Sequence, residues 1–501
     1  MPNALLSVSD KSGLVEFARS LADLGWRLIA SGGTAKAVRD AGVQVTDVFE
    51  YTGSPEILGG RVKTLHPAIH GGLLARDLED DWSELSKLGW EQIDLTAVNL
   101  YPFSETVSDS DATFADAIEN IDIGGVALIR AAAKNHERVT LVCDPADYDK
   151  VLNELHDGEV SVDTRKILAM KGFAHTAEYD TAIAAFFAPE EALSVQAYWV
   201  QSLRYGENPH QQAALYNWIP GEGPLGGKLL QGRPLSYNNL LDLDAAWRAA
   251  VSFTKPTVVI VKHLSPCGLA SAPYLATALQ LALASDPVSA FGSVVATNRP
   301  FDANVAALLG DVFIECIAAP GFGDKSRTEL AKRKNCRLLQ MPGISLDPRQ
   351  EFRSITAGVL LQDLDLGDPE GGECGWHVMT DRQPGRDEWT ALRFAWNACK
   401  HVKSNAIVLV QGEATVGIGG GQPNRVDCVR IAGERAGKQS EGSVMASDAF
   451  FPFPDSVEQA ATLGVTAIVQ PGGSVRDQLC IDAANAAGMA MVATGVRHFR
   501  H

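Results

Sequence analysis

Short apolar runs alternate with helical patterns along the first part of the chain. Residues 4–8 form an apolar run of strand length, and apolar residues between 14 and 24 then recur at helical spacing. Further strand-length runs follow at 28–30, 43–48, 95–100 and 139–143, with a helical pattern at 34–40. Strands that alternate with helices in this way predict a parallel, doubly wound α/β sheet.

The pattern changes near residue 190. Helical spacing dominates from 147 to 187, and the composition then shifts at Ala188-Pro189-Glu190-Glu191. We therefore place a boundary there, between a first domain at 1–190 and a second at 195–501. The second part is also predicted to be α/β, because strand-length apolar runs separated by helical patterns occur at 257–261, 293–297, 406–410 and 465–469.

Two short echoes within the second part indicate an internal duplication. Residues 262–266 are similar in kind to 400–405, and 286–292 faintly resemble 448–453. Two such short matches also arise by chance, so both explanations stay open. The stretch 364–386, rich in Gly and Asp, predicts a long loop or an exposed insertion.

Composition limits the class of protein. The chain has 501 residues, of which 46% are hydrophobic and 21% charged, as is typical of soluble globular proteins. Its apolar stretches have the length of strands, and no charged segment with an apolar stretch precedes the first one, so we expect a cytoplasmic protein that neither crosses nor binds a membrane. The net charge of -18 argues against nucleic-acid binding. We therefore expect small-molecule ligands.

Eight cysteines are spread along the chain, and none forms a C-x-x-C pair or another close metal-ligand spacing. We expect reduced thiols and no structural zinc. Cys267 lies close to Lys262 and His263 in sequence and is a candidate nucleophile. Packing as a small buried residue is the favoured interpretation, because no second base is visible nearby in the sequence.

The motif Ser31-Gly32-Gly33-Thr34 lies between a predicted strand and a helix. Glycines let the backbone approach an anion, and the N–H groups of a helix N-terminus point toward it. A Gly-Gly turn without a ligand is also common. A phosphate site is favoured by Lys11, which follows the first strand, because the ends of neighbouring parallel strands meet at one edge of the sheet.

Other chemical groups follow predicted strands and open predicted helices nearby. Arg61 and Lys63 share one side of an extended segment, Tyr101 follows a strand, and Asp122 precedes a helix that carries Arg130 and Lys134. Each alone is explained by a solvated charge or a helix cap. Together, at the ends of strands and helices, they are less readily explained in that way.

In the second half, the β-branched run 257–261 predicts a buried strand that ends at Lys262-His263-Leu264-Ser265-Pro266-Cys267-Gly268. We expect Pro266 and Gly268 to enforce a turn there. An imidazole that exchanges protons near neutrality, beside a cation that stabilises negative charge, predicts a catalytic site.

These motifs resemble those of the family of bifunctional purine biosynthesis proteins, over nearly the entire chain. The matching segments are 31–34, 60–67, 99–103, 122–135, 204–211, 262–268, 286–292, 404–405, 419–425 and 447–453. The resemblance implies an α/β fold. It consists of an N-terminal methylglyoxal-synthase-like domain with a doubly wound parallel sheet and a C-terminal, duplicated cytidine-deaminase-like α/β domain that lacks the zinc.

For the first domain, the resemblance implies IMP cyclohydrolase activity, in which a formamide intermediate closes to inosine monophosphate. The residues implied to bind the nucleotide and its 5′-phosphate are Lys11, Ser31, Gly32, Gly33, Thr34, Arg61 and Thr64. Those implied to surround the ring-closing atoms are Lys63, Tyr101, Asp122 and Lys134.

For the second domain, the resemblance implies transfer of a formyl group from 10-formyltetrahydrofolate to 5-aminoimidazole-4-carboxamide ribonucleotide, with no metal required. Lys262, His263 and Asn405 are the implied catalytic residues. Nucleotide contacts are implied for Arg204, Tyr205, His210, Gly292, Arg425 and Arg497, and folate contacts for Phe291, Glu315, Phe450 and Asp455. Ser265 and Glu315 depart from the residues that many relatives carry, Asn and Asp, which affects the details of folate contact.

The resemblance also implies a homodimer whose transferase sites use both subunits. The alternative is a regulatory protein that binds phosphate ligands without turnover. A pure binder has no use for Lys262 with His263, nor for Tyr101 with Lys134, so the sequence favours an enzyme. Hydrolytic deamination is disfavoured, because the sequence lacks a His/Cys zinc constellation.

Overall fold

The computed structural model describes residues 1–188, 193, 195–343, 350–368 and 375–501. The chain divides into two compact units, Met1–Gln196 (unit 1) and Ala197–His501 (unit 2). The residues Pro189, Glu190 and Glu191, on which the predicted boundary partly rests, lie outside the described residues.

Unit 1 is built on a parallel sheet of five strands in the order β3-β2-β1-β4-β5. Its strands are β1 (Asn3–Ser7), β2 (Arg27–Ala30), β3 (Thr46–Asp47), β4 (Leu95–Val98) and β5 (Thr140–Val142). Apolar clusters occupy both faces of the sheet. The predicted parallel, doubly wound α/β unit is therefore confirmed.

Helices connect these strands and cover both faces of the sheet. They are α1 (Leu14–Asp23), α2 (Gly32–Asp40), α3 (Val48–Thr52), α4 (Pro67–Leu74), α5 (Glu79–Lys87), α6 (Phe103–Ser108), α7 (Phe114–Glu119), α8 (Gly124–Lys134), α9 (Tyr148–His156) and α10 (Val162–Phe187). Within the described part of the chain, none of the helices combines the length and apolar character needed to span a membrane.

The third strand is shorter than the sequence predicts. The apolar pattern suggests a strand over 43–48, whereas β3 covers Thr46–Asp47 and α3 begins at Val48. Asp47 accepts a hydrogen bond from the N–H of Phe49 and forms a capping box with Glu50. This cap starts a helix where the apolar pattern alone continues a strand.

Unit 2 contains one twelve-stranded sheet and two separate hairpins. Its strands are β6 (Tyr198–Leu203), β7 (Ala213–Asn217), β8 (Lys228–Gln231), β9 (Thr257–Lys262), β10 (Ser265–Ser271), β11 (Ser293–Thr297), β12 (Ile314–Ala319), β13 (Arg337–Gln340), β14 (Gln350–Ile355), β15 (Gly358–Asp363), β16 (His377–Val378), β17 (Ala406–Gln411), β18 (Ala414–Gly420), β19 (Val444–Ser447), β20 (Ala467–Gln470) and β21 (Ala490–Ala493). The hairpins are β6–β7 and β14–β15.

The helices of unit 2 pack against the large sheet. They are α11 (Tyr237–Val251), α12 (Leu275–Ser285), α13 (Pro287–Ala290), α14 (Ala303–Leu308), α15 (Asp324–Leu330), α16 (Arg386–Cys399), α17 (Arg425–Ala436), α18 (Asp455–Thr462) and α19 (Asp477–Ala486). One large core cluster includes residues of both α11 and α16.

The large sheet is internally symmetric. Its order, β16-β21-β20-β19-β17-β18-β10-β9-β11-β12-β13-β8, repeats the same pattern outward from the β18–β10 junction, with matching parallel and antiparallel pairs. A glycine is the fourth residue of each inner strand. A Cβ on Gly268 would lie 2.0 Å from the carbonyl oxygen of Ala282, and one on Gly417 would lie 2.1 Å from that of Ala432. The two halves are therefore a duplication.

The short echoes in the sequence do not mark this duplication. Lys262 ends β9, whereas Lys400 precedes β17, and the residue that matches Lys262 in the symmetric sheet is Gln411. Asp286 likewise precedes β11, whereas Asp448 follows β19. The duplication is present. What marks it in the sequence is that Gly268 and Gly417 occupy the same position in their strands.

One local prediction in unit 2 is wrong. Pro266 and Gly268 do not form the turn after Lys262; they lie within β10, where the register with β9 shifts between them. The described part of 364–386 is mostly irregular, as the predicted long loop requires, but it is not simply exposed. His377–Val378 pairs with β21, and Asp368 accepts hydrogen bonds from the indole N–H groups of two tryptophans. Polar composition hid these contacts, because the Asp and Gly content is also that of a surface loop.

Candidate functional sites

A cavity of about 600 Å³ lies in unit 1 where β1, β2 and β4 end. The carboxyl ends of neighbouring parallel strands meet at this edge, and the N-termini of α2 and α8 open onto it. The predicted residues that line the cavity are Lys11, Ser31, Gly32, Gly33, Thr34, Arg61, Lys63, Thr64, Tyr101 and Asp122.

The glycine turn forms one end of the cavity. Helix α2 begins at Gly32, two residues before the predicted start, and Ser31 places no side-chain cap on its first N–H groups. The ammonium groups of Lys63 and Lys11 lie near this turn, 3.3 Å and 4.0 Å from the positions of a Cβ on Gly32 and on Gly33. Free N–H groups and two cations favour an anion here.

Two polar side chains fix the loop that follows β1. The Thr34 hydroxyl accepts from the N–H of Val8 at 3.0 Å and donates to the carbonyl of the same residue at 3.1 Å. The Asn99 carboxamide oxygen accepts from the N–H groups of Ser9 and Asp10, at 2.6 and 2.9 Å, and its NH₂ group donates to the Asp10 carbonyl. Asn99 therefore positions the backbone that carries Lys11.

Asp122 lines the same cavity and lies just before the start of α8. Its carboxylate accepts from the N–H of Gly125 at 2.7 Å, and its own N–H donates to the hydroxyl of Tyr179, which also donates to Asn120. Burial raises the pKa of Asp122, although backbone N–H groups of Gly125, Tyr101 and Gly124 oppose that shift. A carboxyl with a raised pKa is suited to exchange protons.

The cations of the cavity have carboxylate partners that the sequence interpretation missed. Arg61 forms an ion pair with Glu119, which also lines the cavity, and Lys63 lies 3.5 Å from Glu56. These acids lie far from their partners in sequence or in irregular segments, so no periodicity indicates them. They hold Arg61 and Lys63 in place while both remain accessible.

Two predicted cations lie elsewhere. Lys134 is the last residue of α8, about 15 Å along the axis from the end that faces the cavity, and it does not line the cavity. Arg130 is exposed and its guanidinium lies over the ring of Phe173 at 5.7 Å. The structure of one chain therefore does not bring either side chain to Lys63 and Asp122.

In unit 2, a first group surrounds the end of β9. Lys262 donates to the carbonyl of Phe291 at 2.7 Å, and its ammonium lies near Gly292. Phe291 is 59% exposed and packs against Phe313, with 5.6 Å between ring centroids. His263 is exposed in the turn that follows. A cation and an exposed aromatic pair thus lie together, and an exposed imidazole follows the cation in the chain.

Side chains of helix α11 form hydrogen bonds with the turn that carries His263 and with Glu315. The carboxylate of Asp242 accepts from the N–H of Leu264 at 2.7 Å and from that of His263 at 3.3 Å. One turn earlier, the Asn239 amide donates to Glu315 at 3.0 Å. Sequence reasoning missed Asp242; its signal is a carboxylate within an apolar helix, beside Leu241 and Leu243.

A second group lies at the start of β17. The Asn405 amide oxygen accepts from Arg425 at 2.6 Å, and its NH₂ group donates to the carbonyls of Gln422 and Pro423. Arg425 is buried and pairs with the fully buried Asp448. Arg425 is therefore already engaged by a carboxylate, and its predicted role as a nucleotide contact stays a prediction.

The remaining predicted residues of unit 2 lie mostly on its surface. The Arg204 guanidinium lies over the Tyr205 ring at 5.3 Å, and that of Arg497 lies over Phe499 at 4.7 Å. The other exposed members are His210, Phe450 and Asp455. Among the described residues, no hydrogen bond or ion pair joins the Lys262 group to the Asn405 group.

Cys267 packs beside the apolar cluster under α12. Burial raises the pKa of its thiol to about 12, so the thiol is protonated at neutral pH. This environment favours packing over nucleophilic chemistry. In the described residues, no group of three or more His, Cys, Asp or Glu side chains is arranged so that it could hold a metal ion.

Comparison with known proteins finds two family models in the chain. Residues 132–435 match the model described as "AICARFT/IMPCHase bienzyme", and residues 13–127 match "MGS-like domain". The chain is 50% identical over 506 residues to the bifunctional purine biosynthesis protein PurH of Trichormus variabilis, covering 99% of both chains. It is 50% identical over 516 residues to the PurH of Myxococcus xanthus, covering 99% of this chain and 100% of that one. It is 47% identical over 509 residues to the PurH of Bacillus subtilis, covering 99% of both.

Proposed function

Because the chain belongs to the family of bifunctional purine biosynthesis proteins, we propose that its two reactions are divided between its two compact units. The chain is a bifunctional enzyme of purine biosynthesis. It transfers a formyl group to 5-aminoimidazole-4-carboxamide ribonucleotide and cyclises the product to inosine monophosphate. Ring closure is assigned to unit 1 and formyl transfer to unit 2.

Ring closure needs a carboxamide nitrogen to attack a neighbouring formamide and then to lose water. The cavity of unit 1 supports this step, because its glycine turn suits a phosphate and because Lys63, Tyr101 and Asp122 line the same cavity. Holding the two groups together is the larger contribution to an intramolecular reaction. Lys63 stabilises the developing oxyanion, while Tyr101 and Asp122 move protons.

Asp122 is the single observation that carries this assignment. A protein that only senses a nucleotide needs the anion end of the cavity, but has no use for a half-buried carboxyl with a raised pKa in the same cavity. Lys134 is given no step within its own chain, since it lies at the far end of α8. A role for it requires a second copy of the chain.

Formyl transfer requires proton removal from a weakly nucleophilic amine as it attacks. His263 suits that task, and Lys262 can stabilise charge on the formyl oxygen. We assign 10-formyltetrahydrofolate as the co-substrate, because the exposed rings of Phe291 and Phe313 beside Lys262 fit a flat pterin. Phe450, Asp455 and Glu315 stay candidates for its other contacts.

We further propose a cytoplasmic homodimer with transferase sites at the interface. Two observations support the dimer. The Lys262 and Asn405 groups have no direct polar link within the described chain, although the family resemblance assigns both to one site. In addition, the hairpin β14–β15 is exposed along both strands, including Phe352, Leu360 and Leu361. An isolated hairpin is marginally stable in water, so covering by a second copy would stabilise it.

Two variants test the division of labour. His263→Ala is expected to lower formyl transfer by about 10²- to 10⁴-fold and to leave cyclisation of preformed formamide intact, because it removes one proton-transfer group. Lys63→Ala is expected to do the reverse. His377→Ala and Lys36→Ala, which alter exposed side chains of the same types outside the two sites, are matched controls. The assay follows tetrahydrofolate and inosine monophosphate separately, and loss of both activities in either site variant contradicts separate sites.

A further inference from the structure

We propose that Asp242 is a positioning residue for formyl transfer, which holds the turn that presents His263. This inference rests on the proposed role of His263. Among the described contacts, no hydrogen bond joins the Asp242 carboxylate to the imidazole; the carboxylate accepts from the backbone N–H groups of His263 and Leu264. The proposal therefore concerns the orientation of His263 rather than its proton.

The turn between β9 and β10 has a backbone that its residues do not favour. Lys262 pairs with Ser265, so His263 and Leu264 form a two-residue connection. Both are in the left-handed region, with φ of 54° for His263 and 62° for Leu264. Two-residue hairpin connections of this kind are dominated by glycine and asparagine, because other L-residues are strained there.

Asp242 compensates for this strain. Its two carboxylate oxygens accept from the two N–H groups of the strained residues, Oδ1 from Leu264 and Oδ2 from His263. Hydrogen bonds to an ionised acceptor are roughly twice as strong as neutral ones. Among the described contacts of these two N–H groups, the hydrogen bonds to Asp242 are the ones that favour the left-handed conformation.

The other half of the sheet provides an internal comparison. The matching connection between β17 and β18 runs from Gln411 to Ala414, and its first central residue is Gly412, with φ of 59°. At the place in α16 that matches Asp242, with the spacing that matches Lys262 to Gln411 and Gly268 to Gly417, the chain has Ala391. The half with a glycine turn thus lacks the supporting carboxylate, and the half with a histidine turn has it.

Strained residues persist at functional sites when the surroundings over-determine them. In this turn, the left-handed backbone sets the direction in which the exposed imidazole leaves the end of β9, next in sequence to Lys262. Removal of Asp242 would let the turn relax, and the direction of the imidazole would change. A displacement of about 1 Å at a reacting group can lower the rate about 10²-fold.

The test is a double-mutant cycle in the full-length enzyme. Asp242→Ala is expected to lower kcat of formyl transfer about 10- to 100-fold with a smaller change in KM, and Asp242→Asn, which keeps one acceptor, to lower it less. Cyclisation by unit 1 in the same chain reports correct folding. Asp244→Asn is the matched control, since Asp244 lies two residues away and pairs with Arg248 at the surface.

Glycine at position 264 should rescue the loss. Leu264→Gly relieves the strain at one of the two residues, so Asp242→Ala combined with Leu264→Gly is expected to recover about tenfold relative to Asp242→Ala. A carboxylate that acted directly on the imidazole proton would show no such rescue. Full transfer activity in Asp242→Ala, or the absence of rescue, overturns the proposal.

A second measurement does not depend on activity. Amide hydrogen exchange at His263 and Leu264 is expected to be faster in Asp242→Ala, while exchange within β9 stays unchanged. Unchanged exchange at both amides contradicts the proposal. If His263→Ala retains transfer, the proposed function of His263 fails instead, and the exchange measurement still decides whether Asp242 holds the turn.

Discussion

Gly125→Ala should separate the catalysis of unit 1 from its stability. A Cβ at Gly125 would lie 2.6 Å from the Asp122 carboxylate oxygen Oδ2 and 2.8 Å from Cδ2 of Leu100. Gly125 does not have a positive φ, so alanine fits the backbone conformation. Leu100 is buried, and the carboxylate must therefore move.

The size of the effect follows from these contacts. Normal contact distances require Asp122 to shift by about 1 Å, which weakens its 2.7 Å hydrogen bond from the Gly125 N–H. A misplacement of this size lowers a rate about 10²-fold. Overpacking costs about 1–3 kcal/mol, and the better helix propensity of alanine offsets up to about 1 kcal/mol, so the unit stays folded.

The assay measures cyclisation of preformed formamide and formyl transfer in the same preparation, with thermal unfolding alongside. We expect cyclisation to fall about 10²-fold while transfer stays unchanged. Gly321→Ala is the control, because a Cβ there has no neighbour within 4 Å. Cyclisation within about threefold of wild type would refute the role given to the position of Asp122, since that ratio is under 1 kcal/mol.

Two further predictions follow from unit 2. Cys267→Ala should keep formyl transfer within about twofold, because burial raises the pKa of this thiol to about 12; a loss of about 100-fold would mean that the thiol takes part. His498 should stabilise unit 2 more at low than at high pH: burial favours its neutral form, but hydrogen bonds to Asp365 and Asp368 raise its pKa. The contribution of His498 to the free energy of unfolding is complete below about pH 6.5 and is lost as the pH rises through the pKa of the folded state. Urea unfolding of His498→Gln should therefore lack this pH-dependent contribution. An identical pH dependence in the variant and the wild type would contradict the prediction.

The site of unit 1 is largely readable from sequence because of how parallel sheets are built. Lys11, Ser31 and Tyr101 each follow a predicted strand, and the ends of neighbouring parallel strands meet at one edge. Glu119 was not predicted, since its contact with Arg61 depends on the path of an irregular segment. The sequence groups Lys134 with Lys63, but Lys134 ends α8, and the length of this helix separates it from the cavity within one chain.

Unit 2 shows a different limit of sequence patterns. The strand β10 begins with Ser265-Pro266-Cys267-Gly268, a composition typical of turns, although the backbone is extended there. Gly268 is required by the approach of α12, a long-range contact that no local pattern reports. Asp242 was missed for the same reason, because a lone acid in a helix usually faces water and its partners lie in a distant hairpin.

Equivalent turns in the two repeated halves of unit 2 should respond differently to substitution. At position 412, a substitution acts only through the backbone conformation, because Gly412 has a positive φ in the turn. Its effect depends on whether the chain can still form that turn. At position 263, a substitution acts through the backbone conformation and also through the loss of the imidazole. The conformation there is supported by Asp242, a helix residue that has no counterpart in the other half. Substitution tolerance should therefore be asymmetric between repeats with the same strand order. In a duplicated architecture, two equivalent turns can in this way diverge, so that one carries a reactive side chain and the other only reverses the chain.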